Sequence, residues 1–446
     1  MSKKQLKLGA FFMLPGHHVA AWRYPTVKSE HIYNFEFVKQ QALIAERGKF
    51  DMVFLADGPT ANYRTSAFEQ QSWAFFEPFT LLSSLAAVTT KIGLVGTVST
   101  TYNEPFNVAR KFASLDHISG GRAAWNVVTS AGIEAANNFG LKEELLHAER
   151  YERAEEFVDV AKKLWDSWED DAIVFDKENA QFVDKAKVHQ IDHEGKWLSV
   201  TGPLNIARPV QGHPVVVQAG SSEAGKELAA KTAEVIFTAW QTLEDAQAFY
   251  RDVKSRLAKY GRHPDELKIM PGVFPIVGKT IEEAEAKRQK LLDLVPETLS
   301  VSRLSQQLGV DLSGYPIDGP LPKLPDISEV NGLKSRFQLV KDLADREQLT
   351  IRQLYQRIAG ARGHREIIGT PEQIADQLQE WFEQGAADGF NVMPPTFPDG
   401  LNDFVELVIP ELQKRGIFRT EYEGSTLREH LGLERPANKF AIKSLV

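Results

Sequence analysis

A segment near the middle of the chain has the residue types of a phosphate-binding site. Residues 214–225 read Pro-Val-Val-Val-Gln-Ala-Gly-Ser-Ser-Glu-Ala-Gly, so an apolar stretch runs into a glycine and two serines. The apolar part predicts a buried strand, and the residues after Ser222 predict a helix. Unpaired N–H groups at a helix start, hydroxyls and a glycine together suit a phosphate. An ordinary helix cap competes with this interpretation and is locally favoured at roughly two to one.

Polar residues also stand where other apolar runs end, at Asp57, Thr97, Asn126 and Ser221. In a barrel of parallel strands such positions meet at one end, which predicts a shared pocket with a few hydrogen-bonding points. Each has an alternative. Asp57 precedes Gly-Pro and equally suits a turn, and Thr97 suits a strand. A buried Asn126 requires partners that are either structural or part of a ligand.

A third group begins an amphipathic helix in the segment His147-Ala-Glu-Arg-Tyr151. His147 and Tyr151 are four residues apart and share one helical face. Arg150 offers a forked, permanently charged donor for a phosphate. A solvated helix start is the competing interpretation.

Two adjacent histidines, His17 and His18, follow the first predicted strand. We expect them on the active face, as proton donors or substrate contacts. A metal site is disfavoured, because the pair lacks the further histidine or acidic ligands that such a site needs. The sequence contains no GxGxxG motif opening a β-α unit, no Walker loop, no GxSxG and no HExxH.

The elements that must position these residues alternate between short apolar runs and helical patterns. Apolar strands separated by helices predict a parallel sheet buried on both faces, and about eight such units favour an α/β fold of the closed (β/α)8 (TIM) barrel type. The predicted strands are Leu6–Met13, Asp51–Ala56, Ile92–Thr97, Ala123–Thr129, Val215–Gln218, Val235–Thr238, Ile269–Val277 and Phe390–Met393.

The alternation predicts a single barrel domain over residues 1–446. Two stretches interrupt it and are predicted to be insertions in that domain. The insertions are expected at about 170–213 and 296–369. The second contains the proline-rich Gly314–Pro325, which is typical of a lid rather than of an interior strand. A charged tail from about residue 419 is expected to wrap the surface or a neighbouring subunit.

Composition excludes several classes of protein. Of the 446 residues, 43% are hydrophobic and 25% charged, with a net charge of −8 and scattered basic residues, which argues against a nucleic-acid surface. The absence of cysteine excludes disulfides, thiolate metal sites and cysteine nucleophiles. Neither a secretory signal nor a membrane-spanning run is visible, so a cytoplasmic location is expected.

Several ordered motifs of the chain resemble those of the flavin-dependent monooxygenases of the bacterial-luciferase superfamily. The similarity is to the branch with nitrilotriacetate, EDTA and dibenzothiophene-sulfone monooxygenases, and it extends from about Leu6 to Leu433. The motifs are Leu8-Gly-Ala-Phe-Phe-Met, Gly16-His-His-Val-Ala-Ala-Trp-Arg, Phe54-Leu-Ala-Asp-Gly, Leu115-Asp-His-Ile-Ser-Gly-Gly-Arg, Trp125-Asn-Val-Val-Thr-Ser, Gln218-Ala-Gly-Ser-Ser and Gly369-Thr-Pro-Glu-Gln-Ile-Ala.

The resemblance implies a luciferase-like barrel that binds reduced FMN, which a separate NAD(P)H:flavin reductase supplies as a co-substrate. It also implies O2 as the second substrate, a small organic molecule as the third, and a homodimer or homotetramer. By this resemblance Asp57 and Thr97 lie beside the flavin ring. His147, Tyr151 and Ser221 contact the ribityl chain or phosphate, with Arg150 and Ser222 as phosphate neighbours.

The function implied is that of a two-component monooxygenase similar to component A of nitrilotriacetate monooxygenase, with possible C–N or C–S cleavage. No residue is assigned a catalytic role. The chain has Gln307 where the sulfone enzymes carry a histidine, which disfavours a sulfone substrate. Two alternatives stay open: a deazaflavin-dependent oxidoreductase on the same fold, and a non-catalytic flavin-binding barrel.

Overall fold

The computed structural model describes residues 4–61, 63, 68–70, 72, 76–326 and 334–443. Its strands are β1 Lys7–Phe12, β2 Met52–Leu55, β3 Gly93–Ser99, β4 Ala123–Val128, β5 Ile173–Asp176, β6 Gln181–Val183, β7 His193–Glu194, β8 Ser199–Val200, β9 Val215–Ala219, β10 Val235–Thr238, β11 Lys268–Val277, β12 Arg365–Gly369 and β13 Gly389–Val392. Its α-helices are α1 Phe35–Arg47, α2 Pro78–Ala86, α3 Pro105–Ser119, α4 Ile133–Asn138, α5 His147–Asp166, α6 Glu223–Thr232, α7 Leu243–Arg256, α8 Ile281–Asp293, α9 Glu297–Leu308, α10 Lys334–Glu347, α11 Ile351–Ala359, α12 Pro371–Glu383, α13 Asp399–Asp403, α14 Ile409–Lys414, α15 Leu427–Leu431 and α16 Lys439–Lys443.

Eight of the strands close into a parallel barrel. The ring runs β1, β2, β3, β4, β9, β10, β11 and β13, and β13 pairs back with β1. These eight strands lie where the sequence predicts them, so the (β/α)8 barrel is confirmed. Strand β12 pairs with the far half of β11, outside the ring. In this order β1 and β9 lie on opposite sides of the barrel.

Alternating side chains divide the core into two layers. Along β1, Leu8, Ala10 and Phe12 face the surrounding helices, whereas Phe11 lies in the interior cluster of the barrel. This is the period of two that a strand imposes. The strands are therefore apolar throughout because they are covered on both faces.

Hydroxyl side chains cap the start of several helices. Ser222, Thr242, Thr280, Thr350 and Thr370 each accept the backbone N–H of the residue three positions later. Each such cap satisfies one of the four donors that a helix start leaves unpaired.

The two stretches that interrupt the alternation contain added structure. Between α5 and β9 lie two small antiparallel pairs, β5 with β6 and β7 with β8. Between β11 and β12 lie α9, α10 and α11, which share a hydrophobic cluster of their own that includes Leu304, Leu308 and Leu354. This second stretch lies beside the end of β1, where Val19 packs against Leu299 and Ala359.

The tail after residue 419, expected to wrap the surface or a neighbouring subunit, is exposed at residues 423–425 but buried in part of α15. Leu427 and Leu431 of α15 are fully buried in the interior cluster of the barrel. A Cβ on Gly93 would lie 2.5 Å from Leu427 Cδ1, so only glycine admits this close approach. The tail thus closes the N-terminal end of the barrel. No helix in the described ranges has the length and apolar composition needed to cross a membrane.

Candidate active site

Thr97 and Asn126 form a hydrogen-bonded pair at the C-terminal end of the barrel. They are register partners on β3 and β4, and the Asn126 amide donates to Thr97 Oγ1 at 2.8 Å. Thr97 in turn donates to the carbonyl of Leu55 at 2.7 Å. The Asn126 Oδ1 atom is buried and has no hydrogen-bond partner among the described residues. This carbonyl oxygen is thus available to a ligand.

Asp57 and Thr97 line one cavity of about 270 Å³ at the ends of β2 and β3. Burial raises the pKa of the Asp57 carboxyl and Glu77 raises it further, while a hydrogen bond from the Gly58 backbone lowers it. The carboxyl itself remains open to the cavity, since Asp57 is exposed. Ser130, on the same wall, has a left-handed backbone with φ +38°.

The start of α5 brings His147 and Tyr151 together, as their spacing predicts. Their rings lie 4.8 Å apart. Arg150 is buried, but its guanidinium is held by an ion pair with Glu144 and by the Leu145 carbonyl at 2.7 Å. For Arg150 to act as the predicted phosphate neighbour, its ion pair with Glu144 must break and the guanidinium must bind the phosphate instead.

The turn from β9 into α6 separates the two serines. Ser222 caps α6 and accepts the Gly225 N–H at 3.1 Å. The Ser221 hydroxyl, half-buried one residue earlier, makes no hydrogen bond to any described residue. A Cβ on Gly220 would lie 3.5 Å from the Tyr151 hydroxyl, so Tyr151 packs directly against this turn. The structure thus brings Tyr151 and the turn of Ser221 together.

Tyr102, on the loop after β3, lies between the cavity of Asp57 and Thr97 and the residues at the start of α5. Tyr102 lines the cavity of Asp57 and stacks on Phe139 with ring centroids 4.6 Å apart. Burial raises the pKa of Tyr102, Glu144 raises it further and Arg150 lowers it. Charges at the start of α5 therefore act on this cavity wall.

Three further polar groups were not singled out from the sequence, and each has a buried atom without a partner in the described chain. They are Gln218 Oε1 on β9, Thr238 Oγ1 at the end of β10, and Trp240 Nε1 just beyond it. Gln218 stands within the quoted Gln218–Ser222 motif, and Thr238 closes a predicted strand. Applying the strand-end rule to every strand would have found Thr238 as well.

The two histidines differ in their surroundings. His17 is fully buried, and its Nε2 lies 2.9 Å from the Phe11 carbonyl. His18 is 3% exposed, and its side chain lines a small cavity beyond the end of β1. Burial, with Arg362 nearby, lowers the pKa of each ring to about 3, so both are neutral near pH 7.

Aromatic rings fill the barrel interior beneath these groups. The Phe11 ring centroid lies 4.9 Å from that of Phe54 and 5.5 Å from that of Phe237. All three belong to or pack against the interior cluster. The polar atoms at the strand ends therefore sit on an apolar floor, which suits a flat ring with polar edges.

The arrangement fits a flavin mononucleotide in chemical terms. The unpartnered Asn126 and Gln218 oxygens offer acceptors to ring N–H groups, and the turn at Ser221 offers N–H and hydroxyl donors to a phosphate. Asp57, Thr97, His147, Tyr151 and Ser221 stay predictions as cofactor contacts.

Comparison with known proteins places the chain among monooxygenases. Residues 11–388 match the model of the family described as luciferase-like monooxygenase. The chain is 54% identical over 440 residues to N-acetyl-S-(2-succino)cysteine monooxygenase of Bacillus subtilis (strain 168), covering 98% of this chain and 99% of that protein. It is 53% identical over 451 residues to nitrilotriacetate monooxygenase component A of Aminobacter aminovorans, covering 99% of each.

Solved structures agree with these relatives. Riboflavin lyase (RcaE), crystallised with modified FMN and riboflavin, superposes with a TM-score of 0.85 at 33% identity and covers 97% of each chain. A coenzyme F420-dependent reductase from Methanopyrus kandleri shares the fold alone, at 15% identity and a TM-score of 0.55. The deazaflavin alternative therefore has no support beyond the fold.

Proposed function

The chain belongs to the luciferase-like monooxygenase family and is an oxidoreductase that incorporates oxygen. Within that class, we propose that it uses reduced FMN and O2 to oxygenate a carbon next to nitrogen or sulfur in a small organic substrate. One oxygen atom of O2 enters the substrate and the other leaves as water, with the two electrons supplied by the flavin. A hydroxyl on such a carbon makes the adjacent C–N or C–S bond break.

The observation that carries this proposal is the row of buried polar atoms without partners at neighbouring strand ends. Asn126 on β4 and Gln218 on β9 are each in this state. An unpaired buried polar group costs about 1–3 kcal/mol, so a ligand that pairs with it recovers that free energy. The row continues to the turn of Ser221, as a ligand with a ring at one end and a phosphate at the other requires.

The residues of the chain would bind, orient and exclude water. Thr97 fixes the Asn126 amide, so its free oxygen points in one direction. Phe11, Phe54 and Phe237 keep water from the floor of the site, which favours oxygen transfer over loss of reactive species to water. Bound reduced FMN supplies the electrons that activate O2, which no side chain of this protein can do.

A separate NAD(P)H:flavin reductase belongs to the proposal. The Aminobacter relative carries the name component A, as one member of a system with several components. The chain is also proposed to form a homodimer or homotetramer, and light scattering of the purified protein tests that assembly.

A reductase-coupled assay tests the function. The purified chain is mixed with FMN, NADH, a flavin reductase and O2, and products of N-acetyl-S-(2-succino)cysteine or nitrilotriacetate are measured by mass spectrometry. We expect a cleavage product that forms only when O2 and reduced FMN are both present. Binding of reduced FMN with no such product from any tested amine or thioether would instead favour the non-catalytic flavin-binding barrel.

A matched serine pair tests the phosphate end of the site. We expect Ser221→Ala to weaken FMN binding roughly ten- to hundredfold, since one hydrogen bond to an anion is lost. Ser222→Ala removes the cap of α6 and should cost about 1 kcal/mol of stability. Fluorescence titration with FMN and thermal melting separate the two effects. Equal FMN affinity in Ser221→Ala and the parent would exclude Ser221 as a phosphate contact.

A further inference from the structure

A second polar cavity lies across the barrel from the proposed phosphate end. It has a volume of about 20 Å³, and its lining includes Gly16, His18, Arg303 and Arg362. An adjoining cavity of the same volume shares Arg303 and Arg362 and adds Gln307. These side chains come from the loop after β1, from α9 and from the segment between α11 and β12. Because β1 and β9 are opposite in the ring, this cavity is distinct from the turn of Ser221.

His18 presents a hydrogen-bond donor to this cavity. Its Nδ1 accepts the Ala20 N–H at 3.2 Å, so the proton of the neutral ring is on Nε2. The side chain is 3% exposed, and Nε2 is buried with no hydrogen-bond partner among the residues that the structure describes. A buried N–H donor in this state is satisfied by an acceptor that enters the cavity, either a water or a ligand.

Arg362 is held at the cavity wall by an unusual backbone. Its φ is +52°, in the left-handed region that non-glycine residues rarely adopt. Its Nε donates to the His17 carbonyl at 3.1 Å. Strained positions of this kind concentrate at ligand sites, where the surrounding structure maintains them.

Arg303, on α9, brings a second guanidinium to the same wall. Burial lowers its pKa, which reflects the loss of water around the charge. Arg288 adds positive charge that acts on His18 and has its own partner in Glu366 at 2.8 Å. Two guanidiniums and a neutral N–H donor around a small volume are complementary to a carboxylate, which guanidinium binds through paired hydrogen bonds.

We propose that His18, Arg303 and Arg362 form a subsite that binds a carboxylate of the organic substrate. The proposal rests on the monooxygenase function and assigns the substrate class: an amine or thioether that carries at least one carboxylate. The proposal assigns the flavin phosphate to the Ser221 turn, on the opposite side of the barrel from this subsite. The anchored carboxylate would fix the substrate relative to the flavin site at the ends of β2 to β9.

Matched acids and esters test the substrate class. The probes are nitrilotriacetate, N-acetyl-S-(2-succino)cysteine and their fully methylated esters, each titrated calorimetrically into the protein without flavin and then assayed with reduced FMN and O2. We expect at least one acid to bind and to give product, with its ester at least tenfold weaker. Esters that bind or react as well as the acids would overturn the proposal, as would failure of both acids to bind.

Variants test the residues. Arg303→Met and Arg362→Met should each weaken acid binding roughly ten- to hundredfold, because a charge-assisted pair is lost. The expected signature is a raised KM for the acid with kcat and FMN affinity unchanged. Arg303→Lys should restore part of the affinity. Arg357→Met is the control, since Arg357 lies on α11 next to the site but pairs with Glu347 in solvent.

The outcomes separate the two proposals. Loss of reduced FMN binding in Arg303→Met would mean that the cavity serves the flavin, and the carboxylate subsite would be wrong. Acid binding that depends on Arg303 and Arg362, without any oxygenated product, would uphold the subsite and reject the monooxygenase reaction. Circular dichroism and melting curves of each variant confirm that it is folded.

Discussion

The two ends of the barrel treat buried polar groups in opposite ways. At the N-terminal end the buried charges are paired: Asp166 accepts from Arg208 and His213, Glu234 from Arg428, and Asp51 from Arg419. At the C-terminal end several buried polar atoms have no partner in the described chain: His18 Nε2, Asn126 Oδ1, Gln218 Oε1 and Thr238 Oγ1. These atoms lie at the end at which barrels of this kind bind their ligands. At the N-terminal end His430, on α15, also lacks a described partner for either ring nitrogen, so the contrast between the ends concerns the paired charges.

The difference shows that the N-terminal end of the barrel contributes to the free energy of unfolding, whereas the C-terminal end lowers it. The C-terminal tail supplies Arg419 and Arg428 to the paired end, and Leu427 closes that end against Gly93. At the other end, unpaired buried groups lower the free energy of unfolding until a ligand binds. Substitutions at the paired end should therefore alter stability, and substitutions at the unpaired end should alter binding.

The largest expected effect is the loss of Arg428. Its guanidinium binds both Glu234 oxygens, at 2.6 and 3.0 Å, and donates to the His213 carbonyl. Arg428→Met leaves the Glu234 carboxylate, which is 16% exposed, without this cation and should cost roughly 3 kcal/mol. Denaturation in guanidinium chloride measures the change. Arg435→Met, at an exposed pair with Asp170, is the control and should change stability little.

Acid should weaken the unpaired end through its histidines. The folded-state pKa of His17 and of His18 is about 3, whereas the unfolded value is about 6.5. Below pH 6.5 the unfolded chain therefore binds protons that the folded chain does not. Stability from these rings is complete above that pH and declines as the pH falls towards 3, by roughly 2 kcal/mol for each histidine at pH 5.

The variant His18→Gln isolates this contribution. Its free energy of unfolding should fall less steeply than that of the parent between pH 7 and pH 5. The difference in slope should correspond to about one fewer proton taken up on unfolding. Parallel pH profiles for His18→Gln and the parent would show that His18 is protonated equally in both states.

A glutamine pair contrasts the two ends directly. Gln211, before β9, donates to Asp116 at 2.6 Å and to the Ala123 carbonyl, and accepts the Arg428 N–H. Gln218, on β9, has a buried oxygen without a partner in the described structure. Gln211→Met should cost roughly 1–3 kcal/mol of stability and leave FMN affinity unchanged. Gln218→Met should leave stability nearly unchanged and weaken FMN binding roughly three- to tenfold. The reverse pattern would contradict the assignment of the two ends.

The barrel and part of its site follow from local sequence signals. The eight strands were predictable because each is a short apolar run bounded by helical patterns, and strand ends point to one face. That rule predicted a pocket shared by Asp57, Thr97, Asn126 and Ser221, and the cavity at the ends of β2 and β3 is lined by Asp57 and Thr97 but not by the other two. The spacing of His147 and Tyr151 likewise predicted their contact on α5.

The rest depends on contacts between distant segments. No local pattern shows that Leu427 enters the barrel more than 300 residues after Gly93. The carboxylate subsite joins His18 to Arg303 and Arg362, three positions that only the folded insertion brings together. Charge composition suggested a surface tail, and residues such as Glu421 are exposed, but the pairing of Arg419 with Asp51 and of Arg428 with Glu234 holds part of the tail against the end of the barrel.

The smallest expected effect separates two threonines of equal burial, both 5% exposed. At the paired end, Thr89 donates to the Leu85 carbonyl and accepts from Arg122 at 2.8 Å. Thr89→Val should therefore cost about 1 kcal/mol. At the other end Thr238→Val replaces an unpaired hydroxyl with a methyl group of similar size, so stability should stay within about 0.5 kcal/mol or rise slightly. Thermal melting without flavin measures both changes. A loss in Thr238→Val as large as that in Thr89→Val would show that Thr238 is satisfied without a ligand and would remove it from the binding end.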